Sequence, residues 1–426
     1  MKRLLGVTSV QLAIVAGCLV LLVTSTAWAA KTKIVFAEST AWPEWPQFIE
    51  RFEEEYTDID VEPVVLQHGT LAESLVKFAA GGQMPDVFTV LHDILPGLLS
   101  HSLVAPLEPF FARDNSVSIR EYVPLDMGPK GLWALPLTIN VWFTIYNRSL
   151  FAEAGVGFPN EGWSMDDLDS LATKLAVDTD GDGITDVWGF QGVNLMQSAN
   201  QIDTFLWPFG ASLFDSEGAP ALNTPAARQS FEFWENLLAR STGRYAGYIS
   251  SLDTVWMSGN VAMGFGDRVY LAPISQNFGY EWGLAPLPFQ PGVKQQTVGT
   301  GHYFGISATT KHPEEAWTFL KWVTGPKGHS VFKVKAPLPG HMRAFPIYQQ
   351  FWESRRGDWN LPHNIGLVTA TTSYAAPPSI MRSGYTAEQI KPSLVSAING
   401  IGNRTAPATT LISELQRQLE AMAPGH

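Results

Sequence analysis

Between residues 33 and 90 the hydrophobic pattern alternates between strand and helix periods, and that alternation limits the architectures open to the chain. Ile34-Val35-Phe36-Ala37 reads as a buried strand, residues 46–55 as a helix, 61–66 as a strand, 71–80 as a helix and 86–90 as a third strand. The second helix carries Thr70 and Glu73 at capping-box spacing, has Leu71, Leu75 and Phe78 on one face, and stops at Gly81-Gly82. Strands joined through helices predict an α/β fold with a mainly parallel sheet and right-handed crossovers. Ligands of such sheets bind beyond the carboxyl ends of the strands. That rule selects Glu38, Ser39 and Trp42 after the first strand, His68 after the second, and His92 and Asp93 after the third.

At 426 residues the chain exceeds what one core usually organises, so two domains or a large single one are expected. A helix begins at Ser164 with Leu168, Leu171 and Leu175 on one face, and further helices are expected over 226–238, 313–324 and 410–422. Pro- and Gly-rich stretches at 285–292 and 336–340 are short enough to be crossings between lobes. The formal charge of -12, with no basic run, argues against nucleic-acid binding. Fifteen Trp exceed ordinary core needs and suit stacking on ring-shaped ligands.

Residues 1–29 have the form of a secretory signal peptide. Lys2 and Arg3 precede an apolar stretch over 12–23, which ends in Ala27-Trp28-Ala29, and cleavage is expected after Ala29. The apolar run falls short of the roughly 20 residues of a transmembrane helix. The mature protein is expected to be soluble, two charges more negative than the full chain and free of cysteine. Val15-Ala16-Gly17-Cys18 also matches the short pattern of bacterial lipoproteins, but the apolar residues after Cys18 replace the usual polar tether, which favours ordinary cleavage.

Asp178, Asp180 and Asp182 alternate around Gly181 and Gly183, with Asp186 following, as at the start of a calcium loop. Gly189 stands where the bidentate acid belongs, and an Asp/Gly-rich turn is the competing reading. Enzyme signatures are poor: there is no H-E-x-x-H, P-loop or G-x-S-x-G, and the nine His lack metal-ligand spacing. Residues 298–305 lack the spacing of a dinucleotide loop. Glu53-Glu54-Glu55 and Asp166-Asp167 diverge around predicted helices, so they read as solvated faces. A glycoside hydrolase remains open through Glu38 and Asp93, since it needs only two opposed carboxylates.

A longer series of motifs runs Ala79-Ala80-Gly81-Gly82-Gln83-Met84-Pro85-Asp86-Val87, Ala134-Leu135-Pro136 leading to Tyr146-Asn147-Arg148-Ser149-Leu150-Phe151, Gly162-Trp163-Ser164, and Phe209-Gly210-Ala211-Ser212-Leu213-Phe214-Asp215. It continues through Ser258-Gly259-Asn260-Val261-Ala262-Met263, Trp282-Gly283-Leu284-Ala285-Pro286-Leu287-Pro288, and Gly305-Ile306-Ser307 before His312-Pro313-Glu314-Glu315-Ala316-Trp317. In this order the series resembles extracellular solute-binding proteins of carbohydrate-uptake ABC transporters, similar to the maltose-binding and glycerol-phosphate-binding proteins, over nearly all of the mature chain. The resemblance implies a monomeric, non-catalytic protein of two lobes, residues 30–141 with 290–340 and 142–289 with 341–426. Crossings are implied near 138–144, 287–292 and 336–345, with a permease of the membrane as partner. Cleft positions implied are Glu38, Ser39, Trp42, His92, Asp93, Asn140, Trp142, Trp207, Asp267, Arg268, Gly301, His302 and Tyr303.

Sugar hydroxyls donate and accept hydrogen bonds while the C–H faces are apolar. Asp93, Asn140 and Glu38 suit the former; Trp42, Trp142, Trp207 and Tyr303 suit the latter, with core packing as the competing role for any one Trp. After Ala262-Met263, where the family often presents a stacking Trp, this chain has Gly264-Phe265-Gly266-Asp267-Arg268, and Arg343 follows the third implied crossing. Arg is the planar partner of carboxylates and phosphates, so an acidic sugar or glycerol phosphodiester stands beside a neutral oligosaccharide as the expected ligand.

Overall fold

The computed structural model describes residues 31–40, 42–92, 94–123, 131–191, 198–241, 256–332 and 337–423. Asp93 and the whole leader with Cys18 lie outside the described residues. One mixed sheet organises the molecule: β1 (Thr32–Glu38), β2 (Ile59–Val65), β3 (Val87–Val90), β4 (Leu135–Asn147), β5 (Met263–Asp267), β6 (Trp282–Ala285), β7 (Thr297–Ile306) and β8 (Ala375–Ala376). The main path is β2-β1-β3-β7-β4-β5, with β6 added to β4 and β8 to β7.

The parallel arrangement expected from the alternating sequence holds for β1, β2 and β3. It gives way where β7 enters antiparallel to both β3 and β4, and β5 and β6 pair antiparallel to β4. The reason is topological: β4 runs unbroken from the first half of the molecule into the second, and β7 returns against it.

Local chemistry explains the element ends. The helix Leu71–Ala80 ends as expected, Gly82 taking a positive φ of 66° and Gln83 N–H reaching Phe78 O at 2.9 Å. The Thr70 capping box does not form, because a 3-10 turn over His68–Thr70 leads directly into that helix. At Met165–Leu175 the box is complete, Ser164 and Asp167 exchanging side-chain and backbone hydrogen bonds. Trp163 just before it donates its indole N–H to Pro286 O at 2.8 Å, which fixes the helix against the second half.

Three groups of buried side chains follow the sheet. One packs β1 and β3 against the helices Trp45–Glu55 and Pro313–Thr324, through Phe36, Phe48, Phe52, Phe319 and Leu320. Another surrounds the far end of β4 with Phe190, Phe205, Trp234 and Phe265, joined by the terminal helices Ala387–Gly402 and Ala408–Ala421. The third draws from both halves, with Phe88 and Leu91 beside Ile145, Tyr348 and Trp352. The stretch 287–292 stays with the second half, Gln290 N–H bonding Pro208 O, so β4 and β7 are the strands that pass between the halves. Among the described residues no helix is long and apolar enough to cross a membrane.

Candidate functional site

The midpoint of β4 and β7 presents a stripe of polar groups. In an antiparallel pair, opposed residues share a face and alternate residues along a strand return to it. Thr138 opposes His302, Asn140 opposes Thr300, and Trp142 opposes Asp267 of β5, so these six side chains share one face. Among the described residues, Thr138 Oγ1, Asn140 Oδ1, Trp142 Nε1 and His302 Nδ1 are all buried there without a hydrogen-bond partner. Buried polar atoms are normally paired, and leaving one unpaired costs about 1–3 kcal/mol. A row of them marks a place where hydrogen-bonding capacity is held in reserve.

Around this stripe stand several of the strand-end residues. Trp42 meets His302 edge-on with ring centroids 5.5 Å apart, and His68 approaches the same ring at 6.5 Å. On the opposite face of β7, His92 lies against Tyr303 at 4.8 Å, and His92 Nε2 and the Tyr303 hydroxyl are buried without partners among the described residues. Ser39 hangs its amide on Thr89 Oγ1 while its own hydroxyl is unpaired among the described residues. Glu38 turns inward: its Oε2 accepts Thr40 N–H at 2.6 Å and Thr40 Oγ1–H at 2.7 Å.

Arg268 completes the group from the turn after β5. Its Nε donates to Ile139 O at 3.0 Å, and the two terminal guanidinium nitrogens take no protein partner among the described residues. Burial, with Arg268 and His68 nearby, pushes His302 down to about 4; burial, with His302 nearby, pushes His92 down to about 3. Both rings are therefore neutral near pH 7. Asp267 is pushed up to about 6 by burial, against the opposing pull of Arg268 and the Val269 N–H that its Oδ1 accepts.

Other expected positions have different roles. Trp142 is 1% exposed and packs in the core of the second half, so its ring offers no open platform even though its N–H belongs to the stripe. Trp207 is likewise core, its indole N–H spent on Ser212 Oγ at 3.1 Å. Gly301 is small because β4 passes close by: a Cβ there would lie 2.1 Å from Thr138 O. Arg343 does not join the group; it projects largely into solvent and pairs with Glu121, beside His341.

In the Asp-rich turn, carboxylate oxygens of Asp178, Asp180 and Asp186 lie within 4.8 Å of one another. Asp182 stands apart, its Oδ1 accepting Ile184 N–H. Asp178 accepts N–H groups from Gly183 and Gly181, which hold its carboxyl below the ordinary range.

Sequence reading missed Tyr348 and Trp352, which sit on one face of the helix Phe345–Glu353 and are each 2% exposed. Arg268 acts electrostatically on Tyr348, and the Trp352 N–H approaches the Tyr348 hydroxyl without completing an aligned hydrogen bond. The available signal was an aromatic pair four residues apart just after the third crossing, which by itself looks like ordinary helix packing.

The model of bacterial extracellular solute-binding proteins matches residues 39–330. A binding protein of Brucella abortus (strain 2308) is 22% identical over 330 residues, spanning 73% of this chain and 76% of its own length. Among solved structures, an ABC substrate-binding protein from Listeria monocytogenes in complex with cycloalternan is similar with a TM-score of 0.70 at 18% identity, covering 92% of this chain and 99% of its own. The sugar-binding protein MalE from Xanthomonas citri gives a TM-score of 0.73 at 17% identity, covering 92% and 97%. With the match extending from the end of β1 into the helices after β7, the chain belongs to the bacterial extracellular solute-binding protein family.

Proposed function

We propose that this protein captures a sugar or oligosaccharide between its two halves and delivers it to the permease of an ABC importer. The carrying observation is the buried stripe of unpaired Thr138, Asn140, Trp142 and His302 atoms on one face of β4 and β7. Donors and acceptors mixed in this way, with Trp42 beside them, suit a polyhydroxylated ring. The sugar-binding proteins of like fold support the same reading.

The lobes are residues 30–141 with 290–340 and 142–289 with 341–426, except that Gln290, bonded to Pro208 O, keeps the start of the returning segment with the second lobe, and closure on solute is driven by contacts to both. The protein works as a secreted monomer outside the cytoplasmic membrane, with ordinary leader cleavage favoured over lipid attachment at Cys18. No catalytic step is part of the reading. Glu38 is turned onto Thr40, whose N–H and hydroxyl both donate to its Oε2.

Thermal denaturation with neutral mono- and oligosaccharides, on protein refolded to remove bound solute, tests the reading. Saturation at about 100 times Kd adds roughly 2.7 kcal/mol, a shift of several degrees. New reducing ends released from an oligosaccharide would overturn it in favour of a hydrolase.

A further inference from the structure

Arg268 is the permanent cation held against the stripe, and its geometry leaves its strongest recognition surface unused. The Nε–H is fixed on Ile139 O, which anchors the guanidinium to the β4 backbone, and both terminal nitrogens lack a protein partner among the described residues. A planar fork anchored at one end and free at the other matches the two oxygens of a carboxylate or phosphate. His302 lies within electrostatic reach of Arg268, and its Nδ1 is buried and unpaired. The adjacent carboxylate, Asp267, is engaged elsewhere, accepting Val269 N–H at 2.8 Å to start the turn.

We infer that the solute is an anionic saccharide, whose carboxylate or phosphate seats on the free end of Arg268 beside His302 while its hydroxyls engage the β4 and β7 stripe. This inference rests on the carbohydrate reading above and narrows its substrate class. A neutral sugar leaves the Arg268 charge uncompensated by solute in a partly buried site, whereas an anion neutralises it at short range.

The charges facing this place give the inference a signature. Arg268 is surrounded by Asp267, His302, His329 and Tyr348, and His302 also feels His68 and His92. An anion bound here favours protonated His302, and Asp267 loses charge as pH falls through about 6. Both effects strengthen anion binding on acidification and neither acts on a neutral ring.

Titration calorimetry on refolded protein, with D-glucuronate, D-galacturonate and glucose 6-phosphate against glucose and galactose, at about pH 7.5 and about pH 5.5, reads this directly. An acid is expected to bind at least about tenfold tighter than its neutral counterpart, and the uronates, which stay ionised at both pH values, to gain severalfold more at the lower pH. The uronate and phosphate arms distinguish the two anion chemistries. Neutral sugars binding as tightly as the acids, with no gain on acidification, would overturn the anionic class and leave the carbohydrate reading intact. Failure of every sugar would overturn both. In R268Q the acid-over-neutral ratio should fall towards one, and an unchanged ratio counts against the inference. R268K, which keeps the charge without the fork, should retain part of the preference.

Discussion

Thr297 grips Trp142 from both sides of its residue: Thr297 Oγ1 accepts the Trp142 N–H at 2.9 Å and donates to the Trp142 C=O at 2.8 Å. One hydroxyl thus replaces two ladder bonds where β4 leaves β7, whose last pair with it is Val141 and Gly299, and takes up β5 and β6. The near-isosteric T297V should leave two buried backbone groups unpaired. We expect a loss of about 2–4 kcal/mol, read as a lower urea midpoint at unchanged slope.

Asp267 makes stability depend on pH in a specific direction. Its carboxyl is pushed up to about 6, above the ordinary 3.8, so the folded protein holds that proton more tightly than the unfolded chain. Its favourable contribution is complete below about pH 4 and is lost as pH rises through about 6, at roughly 1.4 kcal/mol per unit. His92 and His329, both pushed down to about 3, act oppositely and remove stability as pH falls below their ordinary 6.5. The difference in unfolding free energy between D267N and the parent isolates the Asp267 part. It should move by about 3 kcal/mol in favour of D267N between about pH 4 and about pH 7.

G301A tests why residue 301 is a glycine. Its Cβ would meet Thr138 O and the Ile139 backbone, so β4 and β7 must separate for it to fit. A destabilisation of at least about 2 kcal/mol is expected in protein free of solute. A variant with parental stability but weakened sugar binding would instead assign Gly301 to solute contact.

Calcium added after chelation should raise the melting temperature if Asp178, Asp180 and Asp186 hold an ion, and D178N should abolish that rise. Unchanged melting with calcium in excess would leave the turn to its own backbone hydrogen bonds, which Asp178 and Asp186 already accept from Gly181, Gly183 and Thr179.

Features set by nearby residues were legible in the sequence. Pro313 and Gly325 bound a helix that forms over Pro313–Thr324, and the strand-end rule brought Glu38, Ser39 and His92 to one edge of the sheet. Features set by distant pairing were not. Arg343 is claimed by Glu121, far back in the chain, and Trp142 is buried by a core whose other members all lie downstream of it, as far as Leu419. The unpaired stripe depends on the β4 and β7 register, which periodicity within either strand does not disclose. Arg268 stood out as a departure from a motif, but only its bond to Ile139 reveals which end of the guanidinium is free.

The antiparallel seating of β7 against β3 governs how this polypeptide matures. While the ribosome has produced only the first three strands, β3 has no partner on one side, and the one it needs is β7, encoded far downstream. The nascent amino-terminal half therefore carries an open, apolar strand edge through most of translation.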